Sequence, residues 1–224
     1  MVKESIVIFG SSSEVAVELQ KILKEKHFDF YSLSRSEVEK NFSNHTQVND
    51  YLEDYEKIYT LFDQLGPTYV IFFNGFLAEN RDQQIPSLSE IKKTDYINFL
   101  VPYELSNKLG SDFLNIKKFI YISSMSAIRP RYKNYVYGLS KRKLEEGIRY
   151  LSLQSYLIFR FGKIKTKMSK NHKDAPFTMS AEQSARVILD KLDKTGIVYG
   201  NAGLYVISMI IKILPNFVFK KIKL

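Results

Sequence analysis

Tyr137 and Lys141 stand four residues apart near the end of KFIYISSMSAIRPRYKNYVYGLSK, the segment from Lys118 to Lys141. Of the fifteen tyrosines in the chain, Tyr137 alone has a lysine at that distance. On a helix this spacing brings both side chains to one face. A tyrosine titrates near ~10 and is a poor acid-base group at neutral pH unless a fixed cation stabilises its phenolate, and Lys141 is placed to be that cation. Ser124 precedes Tyr137 by thirteen residues and follows the apolar run Phe119 to Ile122. That run reads as a buried strand, and the carboxyl ends of such strands are where open α/β sheets hold their ligands. A serine hydroxyl there can hold a carbonyl oxygen while Tyr137 moves the proton. In isolation the same residues would equally be a half-buried aromatic, a solvated lysine and a turn former, so the elements around them decide.

Those elements alternate. SIVIF, residues 5 to 9, reads as a strand, and Gly10-Ser11-Ser12-Ser13 turns it into a helix with Val15, Leu19, Ile22 and Leu23 at helical spacing. A strand, a tight turn and a helix N-terminus form a pyrophosphate site, because free backbone N–H groups and the helix dipole face the anion. Gly10 remains of the usual glycine set, with Glu14 and Ala16 at the other two positions. The second strand, Phe28 to Leu33, ends in Ser34-Arg35-Ser36 with no acid at its tip, which favours the 2′-phosphate of NADP(H) over NAD(H). Asn49-Asp50 follows a short third strand and is a candidate adenine contact. Tyr69 to Phe73 gives a fourth strand ending in Asn74-Gly75, where glycine lets a cofactor approach the backbone. Asn98 lies in the helical stretch TDYINFLVPYEL. Ser155 to Phe159 reads as a sixth strand, with Gly162 and Thr166 just past its end, and Ser180 is a candidate N-cap for a helix over residues 180 to 194. The alternation predicts a doubly wound, Rossmann-type α/β sheet with helices on both faces.

With 224 residues and 45% hydrophobic content, the chain can bury one sizeable core, expected over residues 1–202. It has no cysteine, which excludes disulfides and thiolate chemistry and fits a reducing compartment. His27, His45 and His172 show no metal-ligand spacing, so no metal is expected. The apolar run at the start is too short for a signal peptide. A formal net charge of +9 suits an anionic partner. No helix-turn-helix or aromatic stacking pattern accompanies it, so a membrane surface is expected rather than nucleic acid.

The Gly10 turn, Asn74-Gly75, Asn98, Ser124, Tyr137-x-x-x-Lys141 and Gly162 to Thr166 together resemble the short-chain dehydrogenases/reductases over essentially the whole chain. The resemblance implies that Tyr137 is the general acid-base, that Lys141 binds the nicotinamide ribose and lowers the tyrosine pKa, that Ser124 orients the carbonyl and that Asn98 supports a proton-relay water. It implies a cofactor site of Gly10, Ser12, Ser13, Glu14, Val15, Arg35, Asp50, Asn74, Gly75, Tyr137, Lys141, Gly162, Ile164 and Thr166. Phe161 departs from the family's usual proline before glycine. GSSSEVA, FFNGFLAEN, the Ser123 to Lys141 segment with Arg129, Arg131 and Asn134, KTKMSKNHKDAPFTMSAEQSA and the ending IKILPNFVFKKIKL further resemble the reductases of decaprenylphosphoryl-2-keto-pentoses. That narrower resemblance implies a lipid-linked keto-sugar as substrate, held in part by Arg129, Arg131 and Asn134, with a flavin-dependent oxidase as partner. A reductase of nucleotide-linked sugars or small ketones is the alternative enzyme, and a binding protein that has lost turnover is the alternative of another class. A homo-oligomer is compatible with either.

The tail from Gly203 to Leu224 has no acidic residue and carries Lys212, Lys220, Lys221 and Lys223. Its apolar core, Leu204 to Leu214, is too short to cross a bilayer, which takes ~20 apolar residues. Pro215 is expected to break its helix. Apolar residues mixed with lysines suit the interface of an anionic membrane, here the cytoplasmic face of the inner membrane, or else a cover for the core or a subunit interface.

Overall fold

Parallel strands covered on both faces are apolar throughout, and the chain's short apolar runs take that place. The computed structural model describes residues 4–36, 44–78, 85–171 and 173–219. His172 and the tail lysines Lys220, Lys221 and Lys223 lie outside the described residues.

Seven parallel strands form one sheet: β1 (Ser5–Phe9), β2 (Asp29–Ser34), β3 (His45–Gln47), β4 (Tyr69–Phe72), β5 (Lys118–Ser124), β6 (Tyr156–Phe161) and β9 (Gly196–Tyr199), in the order β3-β2-β1-β4-β5-β6-β9. The two-residue strands β7 (Ile164–Lys165) and β8 (Met179–Ser180) pair apart from it. The sequence order reverses between β1 and β4, the switch point at which open sheets of this kind bind ligands. One face is packed by α1 (Glu14–Glu25) and α6 (Ala181–Asp190), through Leu19, Leu23 and Ile188 against Ile8, Ile71 and Phe159. The other is packed by α2 (Tyr55–Leu65), α4 (Val101–Asp112) and α5 (Tyr135–Ile148), through Phe62, Leu105 and Leu144 against Phe9, Phe72 and Tyr121.

Several boundaries differ from the sequence expectation. Ser124 is the last residue of β5 rather than a residue beyond it, and β6 runs on to Phe161, so Gly162 follows it directly. The stretch holding Asn98 is not one regular helix: α3 (Leu88–Asp95) passes through a π-helical turn, Tyr96–Leu100, into α4. β9 is a short strand that the pattern alone did not separate from its surroundings. Ser180 does cap α6, accepting from the Gln183 amide at 3.0 Å. Pro215 breaks the tail into α7 (Ala202–Ile213) and α8 (Asn216–Phe219).

Candidate active site

The Ser124 hydroxyl at the end of β5 lies beside the phenol of Tyr137 on α5 and favours its ionised form. Gly138 makes this approach possible. A Cβ there would stand 2.7 Å from the Ser126 carbonyl and 3.1 Å from Pro130, so only glycine lets α5 close on the loop after β5. Ser124 Oγ also accepts from the Ser126 amide at 3.1 Å, which pins the loop's first turn. Burial pushes the Tyr137 hydroxyl up to about 12, against the opposing effect of Ser124, so the phenol is protonated at neutral pH.

Lys141 is buried one turn further along α5. Its Nζ donates to the carbonyls of Ile122 at 2.9 Å and Asn74 at 3.1 Å, joining the carboxyl ends of β5 and β4. Burial brings its pKa down to about 8, against the charge of Glu145. The side chain that favours the ionised phenol is Ser124 rather than Lys141, which was expected to lower it. An ammonium has three donors, and two are placed on carbonyls, so one is left for a ligand.

Asn98, in the π-turn, is fully buried. Its Oδ1 accepts from Phe76 N at 2.8 Å, and its Nδ2 donates to Phe76 O at 2.8 Å and to Ser140 Oγ at 3.0 Å. Its side chain thus joins the loop after β4 to the helix carrying Tyr137. A π-turn inside an α-helix often marks a functional position.

The turn after β1 has the shape of an anion cradle. Gly10 has φ +72, and a Cβ there would lie 2.9 Å from Asn74 N, so glycine is obligatory on two counts. Ser13 caps α1, accepting from Ala16 N at 3.4 Å, while Ser12 is exposed at the same end. Val15 is buried in the core, leaving its backbone N–H as its contribution. Asn74 Oδ1 and Ser11 Oγ are buried polar atoms without a hydrogen-bond partner. Buried polar groups rarely lack partners, so these two suit a bound polar ligand. The fit to a dinucleotide is good here: α1's N-terminus for the pyrophosphate, and Asn74 and Lys141 for the ribose beside it. Glu14, at the first position of α1, accepts from Lys167 N at 2.6 Å and so ties this turn to the segment after β6.

The remaining sequence-predicted residues fall as follows. Arg35 is exposed at the tip of β2. Asp50 Oδ1 accepts from Leu52 N at 2.9 Å and from the Tyr96 hydroxyl, so half of its carboxylate belongs to a turn. Gly75 faces Met168, Gly162 faces Leu204 of α7, and Ile164 and Thr166 form a turn capped by Ser169. Asn134 is buried beneath the loop, with Nδ2 on Ser126 Oγ at 3.2 Å and Oδ1 without a partner. Arg131 is half-buried, and burial lowers its pKa. Arg129 turns to the tail instead of outward: its guanidinium donates to the carbonyls of Ile211 and Leu214 and to Asn216 Oδ1, and it lies over the Phe219 ring.

Sequence reasoning missed Tyr51 and Glu145. Tyr51 is buried under the Gly10 turn, accepting from Gly10 N at 3.1 Å and donating to Leu33 O at 3.3 Å; no local pattern points to it. Glu145 is buried one turn beyond Lys141, and the continued four-residue spacing from Tyr137 was the available signal.

The fold is that of the short-chain dehydrogenases/reductases. The chain is similar to an aldohexose dehydrogenase of Thermoplasma acidophilum (TM-score 0.76, 13% identity, 91% of this chain and 94% of that one covered). It is likewise similar to a short chain dehydrogenase of Burkholderia cenocepacia in complex with NADP (0.76, 16%, 96% and 100%) and to a short-chain dehydrogenase/reductase of Vibrio parahaemolyticus (0.70, 21%, 88% and 100%). No protein-family model matches the chain.

Proposed function

We propose that this protein is a nicotinamide-dependent reductase of a keto group on a polyprenyl-phosphate-linked sugar, acting in cell-envelope polysaccharide synthesis. The observation that carries the reductase chemistry is the placing of Ser124 beside Tyr137, with Lys141 buried one turn on and tied to the carboxyl ends of β4 and β5. A bound nicotinamide supplies hydride to the carbonyl carbon. Ser124 donates to the carbonyl oxygen, and Tyr137 delivers its proton there as negative charge develops, giving the alcohol. A phenol that is protonated at neutral pH suits this direction. Lys141 holds the ends of β4 and β5 at fixed spacing, and its third donor is open to the ligand.

NADP(H) is favoured over NAD(H) because Arg35 is exposed at the tip of β2, which ends in Ser34 rather than an acid. A sugar substrate is supported by the likeness to an aldohexose dehydrogenase. The lipid part is supported by the tail, where Tyr205, Val206, Met209, Ile210 and Ile213 form an exposed apolar stripe on α7. Among the described residues no helix is long and apolar enough to cross a membrane. The role proposed for the tail, residues 203–224, is to dock on the cytoplasmic face of an anionic membrane through that stripe and its lysines. A flavin-dependent oxidase is the reaction class that would supply the ketone. Arg131 and Asn134 are the residues proposed to hold the sugar phosphate, and a homo-oligomer is compatible with this reading.

The test is NADPH oxidation with a polyprenyl-phosphate-linked keto-pentose, a nucleotide-linked keto-sugar and a small ketone. Preference for the first supports the proposal, and preference for either of the others replaces the substrate. NADPH binding without turnover on any of the three would make it a binding protein. Co-sedimentation with anionic liposomes, lost on deleting 216–224 without loss of thermal stability, would support the membrane role; unaltered sedimentation would remove it.

A further inference from the structure

A carboxylate and a guanidinium lie together in the interior behind the reacting residues. Glu145 on α5 is 2% exposed and Arg160 on β6 is 8% exposed. Arg160 Nε donates to Glu145 Oε1 at 3.0 Å and Oε2 at 3.1 Å, and its terminal nitrogen closes a second bond to Oε2. Arg160 also donates to the Tyr199 hydroxyl of β9 at 3.0 Å. Glu145 Oε1 further accepts from Ser123 Oγ at 2.5 Å.

Burying such a pair costs several kcal/mol per ion before the partners' attraction offsets it, and apolar residues of like volume often do as well. Its position is the informative feature. Ser123 is the neighbour of Ser124, Glu145 follows Tyr137 and Lys141 at two successive four-residue steps, and Arg160 ends two residues before Gly162. One carboxylate therefore joins the three elements that carry the proposed reaction.

We infer that Glu145, clamped by Arg160 and Ser123, is a positioning residue that fixes the seating and the charge of the Lys141 ammonium beneath Tyr137. This rests on the reductase reading of the site. The groups that act on that ammonium are the carbonyls of Ile122 on β5 and Asn74 after β4, which accept from it, and Glu145 one turn further along its own helix. Glu145 supplies the negative charge among them, and Arg160 is paired with that charge. Burial alone drives Lys141 toward the neutral form, and Glu145 opposes that.

The two partners should consequently act in opposite directions. The Lys141 titration is read from its 13Cε shift against pH, assigned by its disappearance in Lys141→Met, and needs neither cofactor nor substrate. Glu145→Gln keeps the shape, removes the charge, and should lower the midpoint by about one pH unit, a tenfold loss of proton affinity. Arg160→Met should raise it. Glu145→Asp, which keeps the charge, should titrate near the wild type, and it decides the matter with Glu145→Gln if Arg160→Met does not fold. Midpoints that stay together in Glu145→Gln and Glu145→Asp would overturn the inference and leave the pair a packing device. Failure of the wild type to bind NADPH and NADH by fluorescence titration would sink the reductase reading separately, with the Lys141 titration still judging this one.

Discussion

Helices α5 and α7 break the usual rule of burial in opposite senses. α5 puts Lys141 and Glu145 into the interior, whereas α7 leaves Val206 57% and Ile213 80% exposed and buries only Leu204 and Ser208. Charges in a core and apolar side chains in water are both unfavourable, and each persists where something else requires it. On α5 the buried charges have partners, Lys141 on the carbonyls of Ile122 and Asn74 with one donor left over, and Glu145 on Ser123 and Arg160. On α7 nothing among the described residues covers the exposed stripe. The first departure has the form of a catalytic interior and the second that of a contact surface.

The comparison breaks most decisively at Tyr137. Tyr137→Phe removes the proton and little else, so turnover should fall by roughly 10²–10⁴ while NADPH affinity stays within about twofold. Steady-state rates with a binding titration check this, and a variant that reduces ketones at near wild-type rate would strip α5 of its catalytic meaning. Leu204→Ala probes the other helix. Leu204 is 3% exposed and packs on Gly162, and its truncation should cost about 2–3 kcal/mol in denaturant unfolding. An unchanged midpoint would mean that α7 is only loosely laid on the domain.

Much of α5's role was legible because it is local. The Tyr137-x-x-x-Lys141 spacing, the β5 run and the serine at its end lie within one short segment, where helical and strand periods are enough. Arg160 is another matter: nothing in YLIFRF marks its arginine as the partner of a glutamate fifteen residues earlier, because β6 meets α5 only after the crossover closes. Tyr51 is illegible for the same reason, since its hydroxyl serves a turn forty-one residues away. The π-turn at Asn98 escaped because its sequence is as helical as that on either side. The sequence reads Arg129 as a substrate contact, because two of the acceptors that turn it to the tail are backbone carbonyls, which no side-chain pattern encodes.

Two smaller effects sharpen the contrast. The folded pKa of Lys141 is near about 8 against an ordinary value of 10.5, so between those values the unfolded chain holds more protons and stability should rise with pH. Unfolding midpoints at pH 7.5 and 9.5 should therefore climb more in the wild type than in Lys141→Met. Equal changes would mean that the ammonium is not burdened by burial. At Arg35, the expected preference for NADPH over NADH is about tenfold, and Arg35→Ala should remove most of it. Equal dissociation constants for the two cofactors in the wild type would place the discrimination elsewhere.

The clamp on the tail has a consequence for how this chain can change over generations. Two of the groups that Arg129 grips are the carbonyls of Ile211 and Leu214, which any amino acid at those positions would present. Attachment is thereby uncoupled from the identity of the side chains on the outer stripe of α7. Substitutions there can retune what the helix touches without loosening its hold on the domain, so that stripe is free to diverge rapidly between descendants while Arg129 itself stays put.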